Sequence, residues 1–91
     1  MLLKIDYFKI NYSTLPKYST SDILKIFQSK YEGKYLFVVR KEILEIHDLI
    51  HKIYNQQTIT NIQDIYTDEK INIALILTNN SNIILLDLSI F

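Results

Sequence analysis

Both histidines of the chain, His47 and His51, fall in the pentapeptide HDLIH, four residues apart with Asp48 after the first. On a helix this spacing stacks the two imidazoles on one face, an arrangement that tetrahedral zinc accepts. In the zinc-peptidase pattern H-E-x-x-H the glutamate that follows the first histidine is the general base. Asp48 holds that position but is one methylene shorter and reaches a metal-bound water poorly. A third ligand would have to come from Asp64, Asp68 or Glu69. Ninety-one residues also leave little room for a substrate cleft beside such a site. His47 and His51 are therefore weak metal candidates, expected at the rim of an amphipathic helix. No catalytic residue and no cofactor is expected.

Seven tyrosines form the second group, interleaved with lysines in DYFKINYSTLPKYSTS and SKYEGKY. Aromatics beside Lys9, Lys17 and Lys34 could stack bases and neutralise phosphates of a single strand. Tyrosine is equally at home in protein interfaces, which makes Tyr12 and Tyr18 contact candidates. The carboxylates form no evident catalytic pair, and Asp87 in the last segment needs a partner such as Arg40 or Lys41 if it faces inward. No serine or threonine has the glycine-flanked turn of an exposed nucleophile. The C-terminal LLDLSIF is apolar and without a polar tail, so Leu88, Ile90 and Phe91 are expected either in the core or against a partner.

Composition narrows the classes further. Ten basic and ten acidic residues cancel, so no global field steers the chain to nucleic acid or an anionic membrane. Nine of the ten cations are lysine, which disfavours the forked recognition of phosphate and bases that arginine provides. The absence of cysteine excludes disulfides, thiolate metal sites and cysteine catalysis. MLLKIDYFKINY carries charge within four residues and does not read as a signal peptide. No apolar run exceeds five residues, as in 73–77, far below the roughly 20 residues of a membrane span. A soluble cytoplasmic protein is expected. The bias to Ile, Asn, Lys and Tyr suggests an AT-rich genome.

The elements that would position these residues follow from periodicity. Residues 2–12 alternate as a strand. Ser21 is placed to cap a helix over residues 22–31, with Gly33 beyond it as a left-handed cap. KYLFVVR reads as a buried strand. Residues 41–56 give the cleanest wheel, with Ile43, Ile46, Leu49, Ile50 and Ile53 on one arc, so a helix is predicted there. As a strand the same segment would bury Asp48. Thr60–Tyr66 reads as one or two helical turns, with an edge strand as the alternative. INIALILT and IILLDLSI around NNSN make a hairpin. Neither run alternates cleanly, which suggests burial on both faces or a central position in the sheet.

The predicted fold is thus α+β: a single domain over residues 1–91 in the order β-α-β-α-(short α)-β-β. It has one mixed four-stranded sheet, helices packed on it and a right-handed first crossover. A rival organisation is all-β, with blade-like repeats of about 39 residues as in β-propellers. At that offset Ile23, Ile26, Leu36, Asp48 and Leu49 fall on Ile62, Ile65, Leu75, Asp87 and Leu88. Two blades would need oligomerisation to close a propeller. The functional expectation is a small non-enzymatic interaction module, either an inhibitor, an adaptor or a subunit docking on a larger assembly. It would dock through the apolar C-terminal strand or a sheet edge. A nucleic-acid accessory role through Lys9, Lys17 and Lys34 is the alternative, and homo-oligomerisation remains open.

Overall fold

The computed structural model describes residues 4–14 and 23–90, and within them every regular element is a strand. In chain order these are β1 (Lys4–Lys9), β2 (Ser13–Thr14), β3 (Ile23–Gln28), β4 (Tyr35–Arg40), β5 (Leu44–Asp48), β6 (Ile53–Gln57), β7 (Ile62–Asp68), β8 (Ile73–Thr78) and β9 (Asn82–Asp87). They form a four-stranded sheet, β1-β9-β8-β7, and a five-stranded sheet, β2-β6-β5-β4-β3. The α+β expectation is overturned, and the all-β alternative fits. The helix expected over residues 22–31 is β3, the one over residues 41–56 is the β5–β6 hairpin, and Thr60–Tyr66 lies largely in β7. Among the described residues there is no β-α-β crossover: β1 pairs in parallel with β9, and β4 lies in the other sheet. The β4 strand and the β8–β9 hairpin are where the sequence places them.

The 41–56 segment shows why the helix lost. Along β5, Leu44, Ile46 and Asp48 share a face and stand opposite Val39, Phe37 and Tyr35. That phase does bury Asp48 completely, but the carboxylate is satisfied where it lies. It accepts the backbone N–H groups of Ile50 (3.1 Å) and His51 (3.0 Å) and meets His51 Nδ1 at 2.8 Å. A buried acceptor with three partners no longer opposes the strand. Ile43, which helped complete the helical arc, instead precedes β5, Ile53 opens β6 opposite Asp48, and Ile50 is exposed in the turn between them.

Only one glycine serves these turns, so other residues take the left-handed conformation. Gly33, Lys52, Asn61, Asn72 and Ser81 have φ between 55° and 67°, each between consecutive strands. Asparagine tolerates this region, lysine and serine less so. Gly33 turns the chain from β3 into β4 instead of capping a helix.

The 39-residue offset is visible in the backbone. The β3-β4-β5 meander of one sheet corresponds to β7-β8-β9 of the other. The register shifts between Ile23 and Lys25 in β3 and between Ile62 and Asp64 in β7, positions 39 apart. Asp48 and Asp87 each accept the N–H two residues on, from Ile50 and Ser89. Facing sides of the two sheets then share one core, including Tyr35, Phe37, Leu44 and Ile46 from one and Ile65, Ala74, Ile76 and Leu86 from the other.

The turns lock the sheets together. Glu69, between β7 and β8, accepts from Ser29 Oγ (2.5 Å), Glu32 N (2.6 Å) and Lys34 N (2.9 Å) around the β3–β4 turn. Ser29 Oγ in turn accepts the Tyr35 N–H at 2.9 Å. Partial burial opposes ionisation of Glu69, but these hydrogen bonds outweigh it and hold its carboxyl below the usual range. Asn72 Oδ1 accepts from Tyr35 Oη (2.7 Å) and Lys34 Nζ (3.3 Å).

Candidate functional site: the outer face of the four-stranded sheet

Residue partners across the four-stranded sheet share a face, so the pairings define rows on its outer side. One row reads Ile5, Ile83, Leu77, Asp64 across β1, β9, β8 and β7. The next reads Tyr7, Leu85, Leu75, Tyr66, and the third Lys9, Asp87, Ile73, Asp68. Eight of these twelve side chains are apolar or aromatic. Ile5, Tyr7, Tyr66 and Leu75 are exposed, as is Ile71 in the adjoining turn. A shallow groove of about 380 Å³ crosses this face, lined in part by Tyr66, Ile71, Ile73, Leu75 and Leu85. Contiguous apolar surface of this kind is uncommon on a monomer and marks contact surfaces.

The polar atoms of the face are held in place. Tyr7 Oη donates to Asp87 Oδ2 at 3.0 Å. That bond, with lesser desolvation and charge effects, raises the Tyr7 phenol above its ordinary pKa. Tyr66 is raised likewise, first by its hydrogen bond to Asp64. Asp87 also accepts from Ser89 Oγ (2.6 Å) and Ser89 N (3.0 Å), and Lys9 Nζ lies 3.5 Å away. The Ser89 bonds lead the set that draws its pKa down to about 2. Both tyrosines are therefore oriented before anything docks, which lowers the entropy lost on binding.

The residues singled out by sequence are distributed differently. His47 lies in β5 and His51 in the turn after it, so the shared helical face does not exist. His47 is buried and stacked on Tyr54 with ring centroids 6.0 Å apart. Desolvation leads in lowering its pKa, joined by Arg40 and partly opposed by Glu45. Among the described residues no group of three His, Cys, Asp or Glu is placed to hold a metal ion. Lys9 is tied to Asp87 and to Ser89 Oγ (2.5 Å), whereas Lys34 lies over the Tyr35 ring and bonds Asn72 at the joint between the sheets. Leu88 is fully buried in the core, and Tyr12 packs against it with its hydroxyl donating to Leu88 O at 2.7 Å. Ile90 is exposed. Lys17, Tyr18 and Phe91 lie outside the described residues.

Sequence reasoning did not single out Tyr7, Tyr66, Leu75 or Leu85. Their signal was the failure of β8 and β9 to alternate, which put apolar residues on two faces of one hairpin. The structure covers one face and leaves the other outward. No helix among the described residues is long and apolar enough to cross a membrane. In comparisons with family models, curated proteins and solved structures, nothing matches this chain.

Proposed function

We propose that the chain is a non-enzymatic protein-docking module whose contact surface is the outer face of the four-stranded sheet. The supporting observation is the row Tyr7, Leu85, Leu75, Tyr66, flanked by Ile5, Ile83, Leu77 and Ile73. Hydrophobic and aromatic side chains at the centre with charges only toward the rim is the anatomy of an interface core. The C-terminal strand contributes through Ile83 and Leu85, while its neighbour Leu88 anchors the strand to the core. A cysteine-free chain suits the reducing cytoplasm, the compartment proposed for it.

Site-specific photo-crosslinking in living cells tests this reading. A photoreactive phenylalanine at Tyr66, on the outer face, should give adducts with a polypeptide. The same group at Ile26, on the far side of the five-stranded sheet and equally exposed at 58%, should not. Equal yields from both positions, or none from Tyr66, would refute the docking role.

A further inference from the structure

We infer that the occupant of this face is a second copy of the same chain, related by a two-fold axis that runs along the strands. The inference rests on the docking role proposed above and identifies the partner. A rotation about that axis lays β1 of one copy over β7 of the other, and β9 over β8. It also keeps each row at its own level. The middle row is then self-complementary, because Tyr-Leu-Leu-Tyr reads the same in both directions: Leu85 meets the second copy's Leu75, and Tyr7 meets its Tyr66. In the third row Lys9 comes opposite Asp68, a cation facing a carboxylate at the rim. In the first row Ile83 meets Leu77, with Ile5 over Asp64 at the edge. An axis across the strands would instead set β1 on β1 and β7 on β7 and reverse the rows, bringing Asp64 of one copy toward Asp68 of the other. Like charges so placed repel.

The internal repeat offers a competing arrangement, in which the outer face of one copy covers the far side of the next copy's five-stranded sheet. Ile26 is exposed at the edge of that far side, but its centre is not an open apolar surface. Of its residues, Val38, Glu45 and His47 are each less than a tenth exposed, and Arg40 Nε holds Glu45 Oε1 at 2.7 Å. The two-fold pairing uses only surface that is available, and it closes without building a filament. At about 4.8 Å per strand and 3.4 Å per residue, four strands over six residues present about 400 Å² of plane. That is at the small end for a specific interface, so the dimer should dissociate in the micromolar range.

Sedimentation equilibrium of the full chain between about 1 and 200 µM should show the mass rise from 10.8 kDa toward twice that value. Leu75→Glu should hold it at the monomer mass with an unchanged β-sheet spectrum; Tyr66→Glu, at an exposed edge position, repeats the test should Leu75→Glu not fold. The axis is read by cross-linking, since the chain has no cysteine of its own. A bis-maleimide of about 10 Å, the spacing of packed sheets, should join a Tyr7→Cys chain to a Tyr66→Cys chain. It should leave either variant alone uncoupled. A monomer across the whole range, or Tyr7→Cys coupling to itself, would overturn the inference. In the photo-crosslinking experiment an adduct whose mass is not a doubling would overturn only the choice of partner, whereas no adduct at all would remove the docking face itself.

Discussion

Replacing Glu69 should loosen the joint between the two sheets, and the size of the effect can be worked from its partners. Oε1 accepts from Ser29 Oγ and Lys34 N, and Oε2 from Glu32 N. In Glu69→Ala the Ser29 hydroxyl, on a residue 5% exposed, keeps its bond from Tyr35 N but loses its acceptor. An unsatisfied buried donor costs about 1–3 kcal/mol. The two backbone donors lie nearer solvent, so water replaces part of what they lose, and about 0.5 kcal/mol each is a fair allowance. The expected total is about 2–4 kcal/mol, which for a domain of this size lowers the thermal midpoint by about 10–20 °C. Glu69→Gln keeps one oxygen for Ser29 and Lys34 but turns an NH₂ toward Glu32 N–H, and should lose about 1–2 kcal/mol. Urea melts of the three proteins at neutral pH measure both values. Acid supplies an independent check. Because the folded carboxyl titrates below its ordinary value, its contribution is complete above the unfolded pKa and is lost as pH falls through the folded one. The gap between wild type and Glu69→Gln should therefore close in acid. A gap that widens in acid, or an alanine variant within about 0.5 kcal/mol of wild type, would refute the latch.

Two further changes probe the turns. Asp48→Ala removes the acceptor of Ile50 N, His51 N and His51 Nδ1 from a fully buried position and should cost about 2–4 kcal/mol; an unchanged melting temperature would contradict the assigned role. Lys52→Gly relieves a left-handed lysine at φ 57° in an exposed turn, and should be stabilising by up to about 1 kcal/mol. A fall in the midpoint would show that the lysine stem contributes packing that outweighs its backbone strain.

How much of this could be read from the chain depends on where each signal came from. The β8–β9 hairpin was legible because two β-branched runs flank four turn residues. The β5–β6 hairpin was not, because LIHK carries none of the glycine, proline or asparagine that marks a turn, and its left-handed position is a lysine. Without that marker, isoleucines in two strands and a turn fell on one arc of a helical wheel by coincidence of spacing. The burial of Asp48 counted against a strand because its partners, Ile50 N, His51 N and His51 Nδ1, exist only once the turn has formed. The repeat was legible as five identities at one offset, but the matching bulges that support it are a property of backbone pairing. The candidate face was half legible: doubly apolar strands were evident, but which side stays open depends on the sheet that covers the other.

The parallel pairing of β1 with β9 has a mechanical consequence. Lys9 and Ser89, 80 residues apart in sequence, are joined directly, and Lys4 lies level with Asn82 at the opposite end of the pair. Tension applied through Lys4 and Leu88 therefore runs along both strands in opposite senses. It loads the whole ladder in shear, so its hydrogen bonds must fail together. The antiparallel hairpins, pulled at their open ends, give way one bond at a time. A chain stretched through this strand pair should yield at high force and in a single step, although its thermal stability is that of a small domain.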